Sequence, residues 1–124
     1  MHALGAAAFG GALGSGARHL VNIVFVHMFG RPGPFATAAV NLMGSAAIGL
    51  LAGLIASGRV TMTPHMRTFV FVGLLGGFTT FSSFMLDTLT LTQAGNHTQA
   101  AWNIAGQIVA GVLAVYICYF LAVR

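Results

Sequence analysis

The chain contains no lysine and no glutamate, and Asp87 is its single acid among 124 residues. Charged residues make up 5%, where a soluble domain carries about a quarter. So few charges cannot cover a water-facing surface, and lipid is the solvent that this chain expects. The near-absence of acids also argues against a proton-coupled pump or a cation exporter, which places carboxylates inside its bundle. Arg18, Arg31, Arg59, Arg67 and Arg124 are dispersed, so the +4 balance is no nucleic-acid footprint. One cysteine, Cys118, excludes an intramolecular disulfide and a cysteine metal site, and reads as a small buried apolar residue. No Ser/His/Asp set, metal-ligand spacing or phosphate loop is present. His2, His19, His27, His65 and His97 fall mostly near helix ends, as interfacial or structural groups.

What is abundant is apolar sequence: 57% of residues are hydrophobic, and the mean hydropathy is +0.90. A spanning helix needs about 20 mostly apolar residues. Four stretches qualify, from about residues 3–28, 35–57, 66–91 and 100–123, forming a single transmembrane domain over 1–124. The breakers fall between them: Gly30 to Pro34, Gly58 to His65 with Pro64, and Thr92 to Gln99 with Gly95 and Asn96. The first stretch is too long for a signal-peptide core and has no basic segment before it, so no cleavable signal is expected. An even number of spans puts both termini on one side with Arg59, Arg67 and Arg124, against Arg31 opposite. That favours cytoplasmic termini, by a margin small enough for insertion in both orientations. Seventeen glycines let helices approach closely. Four short helices enclose little space, so a polar pathway calls for a second copy, and a homodimer is the commonest closed symmetry.

The polar residues at membrane depth carry the functional information, since each costs free energy unless paired or wet. Thr37, Asn41 and Ser45 recur every fourth residue on one face of the second stretch; Asn103 and Gln107 do the same on the fourth. Two readings fit: interhelical hydrogen-bonding contacts, or a wet track of donors suited to an anion. In the third stretch, Gly76-Gly77-Phe78-Thr79-Thr80 weakens a regular helix near mid-span. A break there frees carbonyls that must face protein, water or an ion; a simple packing kink is the alternative. Phe81 and Phe84, three apart, are expected to share a direction, either as core or lipid contacts or with their positive ring edges toward a small anion.

The run from Gly76 to Phe84 followed by Asp87, together with Thr37-x-x-x-Asn41, Gly44-Ser45 and Gly10-Gly11-x-x-Gly14-x-x-x-Arg18, resembles the Fluc (CrcB) fluoride channel family over the whole chain. The resemblance implies an all-α membrane protein of four transmembrane helices, the third broken at the midplane, in an antiparallel dual-topology homodimer with two pores. It implies passive, fluoride-selective export across the bacterial inner membrane, which lowers cytoplasmic fluoride, and no enzyme activity. Phe81, Phe84, Asn41 and Thr37 would line the pore with Thr80, Ser83 and Gln107, and Arg18 would sit at the vestibule or interface. Backbone carbonyls of Gly76 and Thr79 from both subunits would hold a structural sodium ion. Partners are then a second copy, the bilayer and fluoride, with no nucleic acid. Three positions depart from the pattern: His19 stands where tyrosine is frequent, Asp87 where glutamate is usual, and Gln107 where a serine is expected. A small multidrug exporter, the rival of similar size, needs a glutamate in its first helix that this chain lacks. A non-transporting assembly subunit would use the same polar residues only for packing.

Overall fold

The computed structural model describes residues 2–30 and 33–124, and Arg31, used above to weigh orientation, lies outside them. The described residues are almost entirely helical: α1 (His2–Phe29), α2 (Pro34–Ala56), α3 (Pro64–Arg67), a π-helical segment (Thr68–Leu75), α4 (Gly76–Phe78), α5 (Phe81–Gln93) and α6 (His97–Val123). Proline opens α2 and α3, where the missing N–H would have had no helical partner. Thr63 caps α3 by accepting from the Met66 N–H at 3.3 Å. Gly58 and Gly95, at φ +73° and +78°, turn the chain out of α2 and α5 in the left-handed region that other residues avoid. Arg59 donates to the Ala122 carbonyl at 3.2 Å, placing its charge at the negative end of α6.

Among the described residues, three helical runs are long and apolar enough to cross a membrane: Pro34–Ala56, the compound run Pro64–Gln93 and His97–Val123. α6 alone extends about 40 Å, more than the hydrocarbon thickness. α1 has 28 residues but dilutes its apolar content with glycine, alanine, Arg18 and Asn22. Burial tells the same story. Among the described residues Val40 is the only large side chain fully buried, whereas Phe9, Leu20, Ile108, Leu113, Phe120 and many like them are exposed. In water so much exposed hydrocarbon would aggregate; in lipid it is the expected outer surface. The chain is an all-α, multi-pass membrane protein.

The helices pair at two glycine seams. α2 packs along α6, where Gly49 and Gly53 lie against the Val115 and Tyr119 carbonyls. α1 packs along the π-helical segment and α4. A Cβ on Gly14 would strike the Leu74 carbonyl and come within 2.8 Å of the Phe78 nitrogen, and a Cβ on Gly77 would come within 2.7 Å of the Gly11 carbonyl. These neighbours are backbone and cannot move aside. We therefore expect Gly14→Val to lower stability by about 3 kcal/mol or more, read as loss of monodisperse elution and an earlier midpoint in denaturant titration. Gly16→Ala, with open space around it, should leave both unchanged.

Candidate functional site

The helical run starting at Pro64 is interrupted at Thr79 and Thr80, whose backbones are extended (φ/ψ −79°/160° and −152°/114°). In a continuous helix the Thr80 N–H would return to the Gly76 carbonyl. Here it donates instead to Asn41 Oδ1 at 2.8 Å. One turn later, the Ser83 N–H that would return to the Thr79 carbonyl donates to Thr80 Oγ1 at 3.2 Å, so Thr80 is the cap of α5. The carbonyls of Gly76 and Thr79 are thereby released from the helix ladder. Gly76 is exposed and Thr79 half-buried on the surface of this chain. The Thr79 hydroxyl is spent on the Leu75 carbonyl at 3.0 Å. On α2, Gly44 leaves the space that the Thr79 methyl group fills.

Asn41 holds the break from the side. Its Nδ2 donates to the Thr80 carbonyl at 3.2 Å and to Gln107 Oε1 at 2.8 Å. The line continues on α6, where Gln107 Nε2 donates to Asn103 Oδ1 at 2.8 Å. Asn103 Nδ2 then donates to Thr88 Oγ1 at 3.0 Å, and the Thr88 hydroxyl donates to the Phe84 carbonyl at 2.9 Å. A backbone donor at one end and a backbone acceptor at the other fix the sense of the entire chain. Thus α2, α5 and α6 are joined through four polar side chains, Asn41, Gln107, Asn103 and Thr88, between the backbones of Thr80 and Phe84.

A cavity lies on each side of this line. The first, about 410 Å³, is lined by Arg18, Asn22, Thr37, Thr80, Ser83 and Asp87 among others. It gathers four of the residues expected at the site: Arg18, Thr37, Thr80 and Ser83. Ser83 Oγ accepts from the Thr80 hydroxyl at 3.0 Å, which leaves its own hydrogen to donate. Asp87 Oδ2 is buried there with no hydrogen-bond partner among the described residues. The second cavity, about 420 Å³, runs between α2 and α6 past Gln99, Trp102, Asn103 and Gln107. Asn41 is bonded to Thr80 on the first cavity and to Gln107 on the second.

The two phenylalanines do not share an environment. Their rings meet edge to face, centroids 5.8 Å apart and planes at 72°. Phe84 is 5% exposed, whereas Phe81 is 73% exposed. Phe81 is the first residue of α5, just past the break, where no neighbouring turn covers it; Phe84 has rotated inward one turn later. The spacing rule for a shared face brings the rings into contact but does not bury both.

Asn22, Thr88 and Asp87 were not among the expected site residues, and Asn103 was noticed only for its spacing. Asn22 sits four residues after Arg18, and Thr88 four after Phe84, so helical spacing from assigned residues would have reached both.

The fold and this site define a multi-pass helical membrane protein with a hydrogen-bonding line through its apolar interior. Residues 5–119 match the model for the family described as CrcB-like protein, Camphor Resistance (CrcB). Curated relatives include a protein of Allorhizobium ampelinum, 46% identical over 88% of this chain and 86% of its own length. Others are from Paramagnetospirillum magneticum (42%; 93% and 91%) and Sphingopyxis alaskensis (46%; 85% and 82%). Each of the three is named a fluoride-specific ion channel FluC. The chain belongs to the CrcB family.

Asn41→Leu should destabilise the fold. It strips the Thr80 N–H and carbonyl and the Gln107 carbonyl of their partners, at about 1–3 kcal/mol for each group left buried and unpaired. Thr80→Val, which removes the α5 cap and the hydroxyl bond to Ser83 Oγ, should cost about 1–2 kcal/mol, and Thr80→Ser should recover it. Denaturant titration in detergent, followed by circular dichroism, measures both.

Proposed function

We propose that the chain is a fluoride-selective channel, not an enzyme, that lets fluoride leave the bacterial cytoplasm passively across the inner membrane. One observation carries the reading: through Asn41, a line of neutral hydrogen-bond donors and acceptors links Thr80, which lines one cavity, to Gln107 and Asn103, which line another, in a chain whose single acid is Asp87. The relatives named as fluoride-specific channels, similar over most of their length, identify the ion.

Fluoride is small and strongly hydrated, so a pore must offer close donors in place of water yet release the ion. Arg18 and Asn22 draw the anion into the first cavity. The Thr37, Thr80 and Ser83 hydroxyls and the Asn41 amide replace hydration water, and the positive ring edges of Phe81 and Phe84 complete the contact. Gln107 takes up the ion on the α6 side. The route passes a single carboxylate, Asp87 in the first cavity, and none along the line from Asn41 through Gln107 to Asn103. With no chain of acids to carry protons, transport runs down the gradient, and fluoride that entered as the neutral acid is lost from the cell.

α1 serves as a fourth span, with residues 1–124 as one transmembrane domain. The functional unit is an antiparallel homodimer, inserted in both orientations, with a pore on either side of its axis. One feature calls for the second copy: the released carbonyl of the exposed Gly76, which lipid cannot satisfy. The carbonyls of Gly76 and Thr79 fit a hard cation, which takes oxygen ligands. Together with the same pair from the second copy they would hold a sodium ion, which supplies positive charge that fixes the two breaks together.

Purified protein in liposomes should release fluoride, followed with a fluoride electrode, while chloride stays inside. Drug-stimulated proton flux, or no flux of either kind, would sink the reading. Phe81→Ile and Phe84→Ile should each cut fluoride release at least about tenfold while the protein still elutes as a dimer. Unchanged release from Phe81→Ile removes that ring from the pore.

A further inference from the structure

We propose that Gln107 is an ion-binding residue that also acts as a tethered stand-in for the anion: its side-chain oxygen holds the Asn41 amide in the resting pore, and the entering ion exchanges with it. The proposal rests on the channel reading above. In the structure Asn41 has nothing to spare. One amide hydrogen goes to the Thr80 carbonyl, the other to Gln107 Oε1, and its oxygen takes the Thr80 N–H. An anion can bind this amide only where a partner yields. The two bonds to Thr80 are bonds to backbone, anchored by the cap of α5. The third partner is a flexible side chain that ends in a torsion with two broad minima.

The rest of the line permits that exchange. Gln107 is followed by Asn103 and then by the Thr88 hydroxyl. Both side-chain amides present an oxygen and an NH2 group, and a hydroxyl donates or accepts. Turning over the Gln107 and Asn103 amides and rotating one hydroxyl reverses the two bonds among Gln107, Asn103 and Thr88 and breaks the one to Asn41. Thr88 then donates to Asn103 Oδ1, Asn103 Nδ2 donates to Gln107 Oε1, and Gln107 Nε2 faces Asn41 Nδ2. Two donors converge from α2 and α6 on the place the oxygen had held. Without an ion that arrangement is unfavourable, because donor faces donor; a small anion between them makes it favourable, and a cation is refused. Thr88 gives up only its hydroxyl bond to the Phe84 carbonyl. Gln107 thus closes the line while no ion is present and contributes a donor when one arrives.

Fluoride release from liposomes containing the full chain, measured over a range of fluoride concentrations, tests this. Gln107→Glu keeps the shape but presents acceptor oxygens only, so release should fall at least about tenfold. Asn103→Asp, which does not touch the ion, holds the Gln107 amide in its resting sense and should do the same. Asn103→Ala frees that amide and should conduct faster than Asn103→Asp; a merely structural role for Asn103 predicts the reverse order, because alanine removes both of its bonds. In an Asn41→Ala background Gln107→Glu should add little further loss. Each variant is first checked for monodisperse elution, and Asn103→Asp carries the test alone if Gln107→Glu does not fold. Asn103→Asp conducting as well as Asn103→Ala, or Gln107→Glu at the wild-type rate, overturns the tethered acceptor. If Asn41→Ala itself releases fluoride like the wild type, ions do not pass Asn41 and the channel route drawn above fails first.

Discussion

The hydrogen bond from the Thr80 N–H to Asn41 organises the molecule. A helix crossing lipid ordinarily keeps each backbone N–H for its own carbonyl four residues back. This one surrenders a donor to a side chain on α2, and three consequences follow together. The helix stops at Phe78 and restarts at Phe81 with Thr80 as its cap. The Gly76 and Thr79 carbonyls lose their helical donors. The Asn41 amide is pinned by the two main-chain groups of Thr80. A break in a continuous apolar helix would otherwise carry the full cost of unpaired backbone. Here the same asparagine returns a bond to the Thr80 carbonyl, so the extended residues are supported on both sides.

The glycines make that geometry reachable. Asn41 can meet Thr80 only if α2 lies close to the break, and Gly44, one turn further along α2, leaves the space into which the Thr79 side chain fits. On the opposite side Gly14 and Gly77 bring α1 against the same region. The cavity containing Arg18 is bounded by α1, α2 and α5, so its shape depends on both approaches. A methyl group at Gly14 or Gly44 would therefore alter the cavity without touching any polar residue that lines it.

Much of this was legible because lipid makes polar residues conspicuous. Thr37 and Asn41 stand out on α2, and Asn103 and Gln107 on α6, because little else there is polar; their fourfold spacing already assigns each pair to a face. The glycine-threonine run from Gly76 to Thr80 indicated a weak point in the third stretch, and the backbone is extended at Thr79 and Thr80. What spacing does not convey is which groups satisfy one another. A period of about 3.6 puts Phe81 and Phe84 in contact, but the burial of each depends on where α5 begins, and that is set by a bond to a different helix. Likewise the low apolar content of α1 follows from residues required for packing and polarity, so composition alone separates it from the other three helices.

The distribution of charge bears on how an anion could cross at a useful rate. A fixed cation at the narrow point would bind fluoride strongly in a low-dielectric interior and hold it there. In this chain Arg18 stands in the first cavity, beside Asp87, while the connection to the second cavity consists of amides, hydroxyls and backbone. In the proposed channel, attraction and passage would then fall to different groups: the Arg18 charge would concentrate the ion in the cavity, and neutral donors would pass it on. Neutral amides have a further property that charges lack. They can trade an internal partner for the ion at nearly constant hydrogen-bond count, so the resting line stays satisfied and the occupied line is not a trap. On that basis the reach of the Gln107 side chain to Asn41 would be an advantage in the proposed channel, because it would let the pore remain fully bonded between ions.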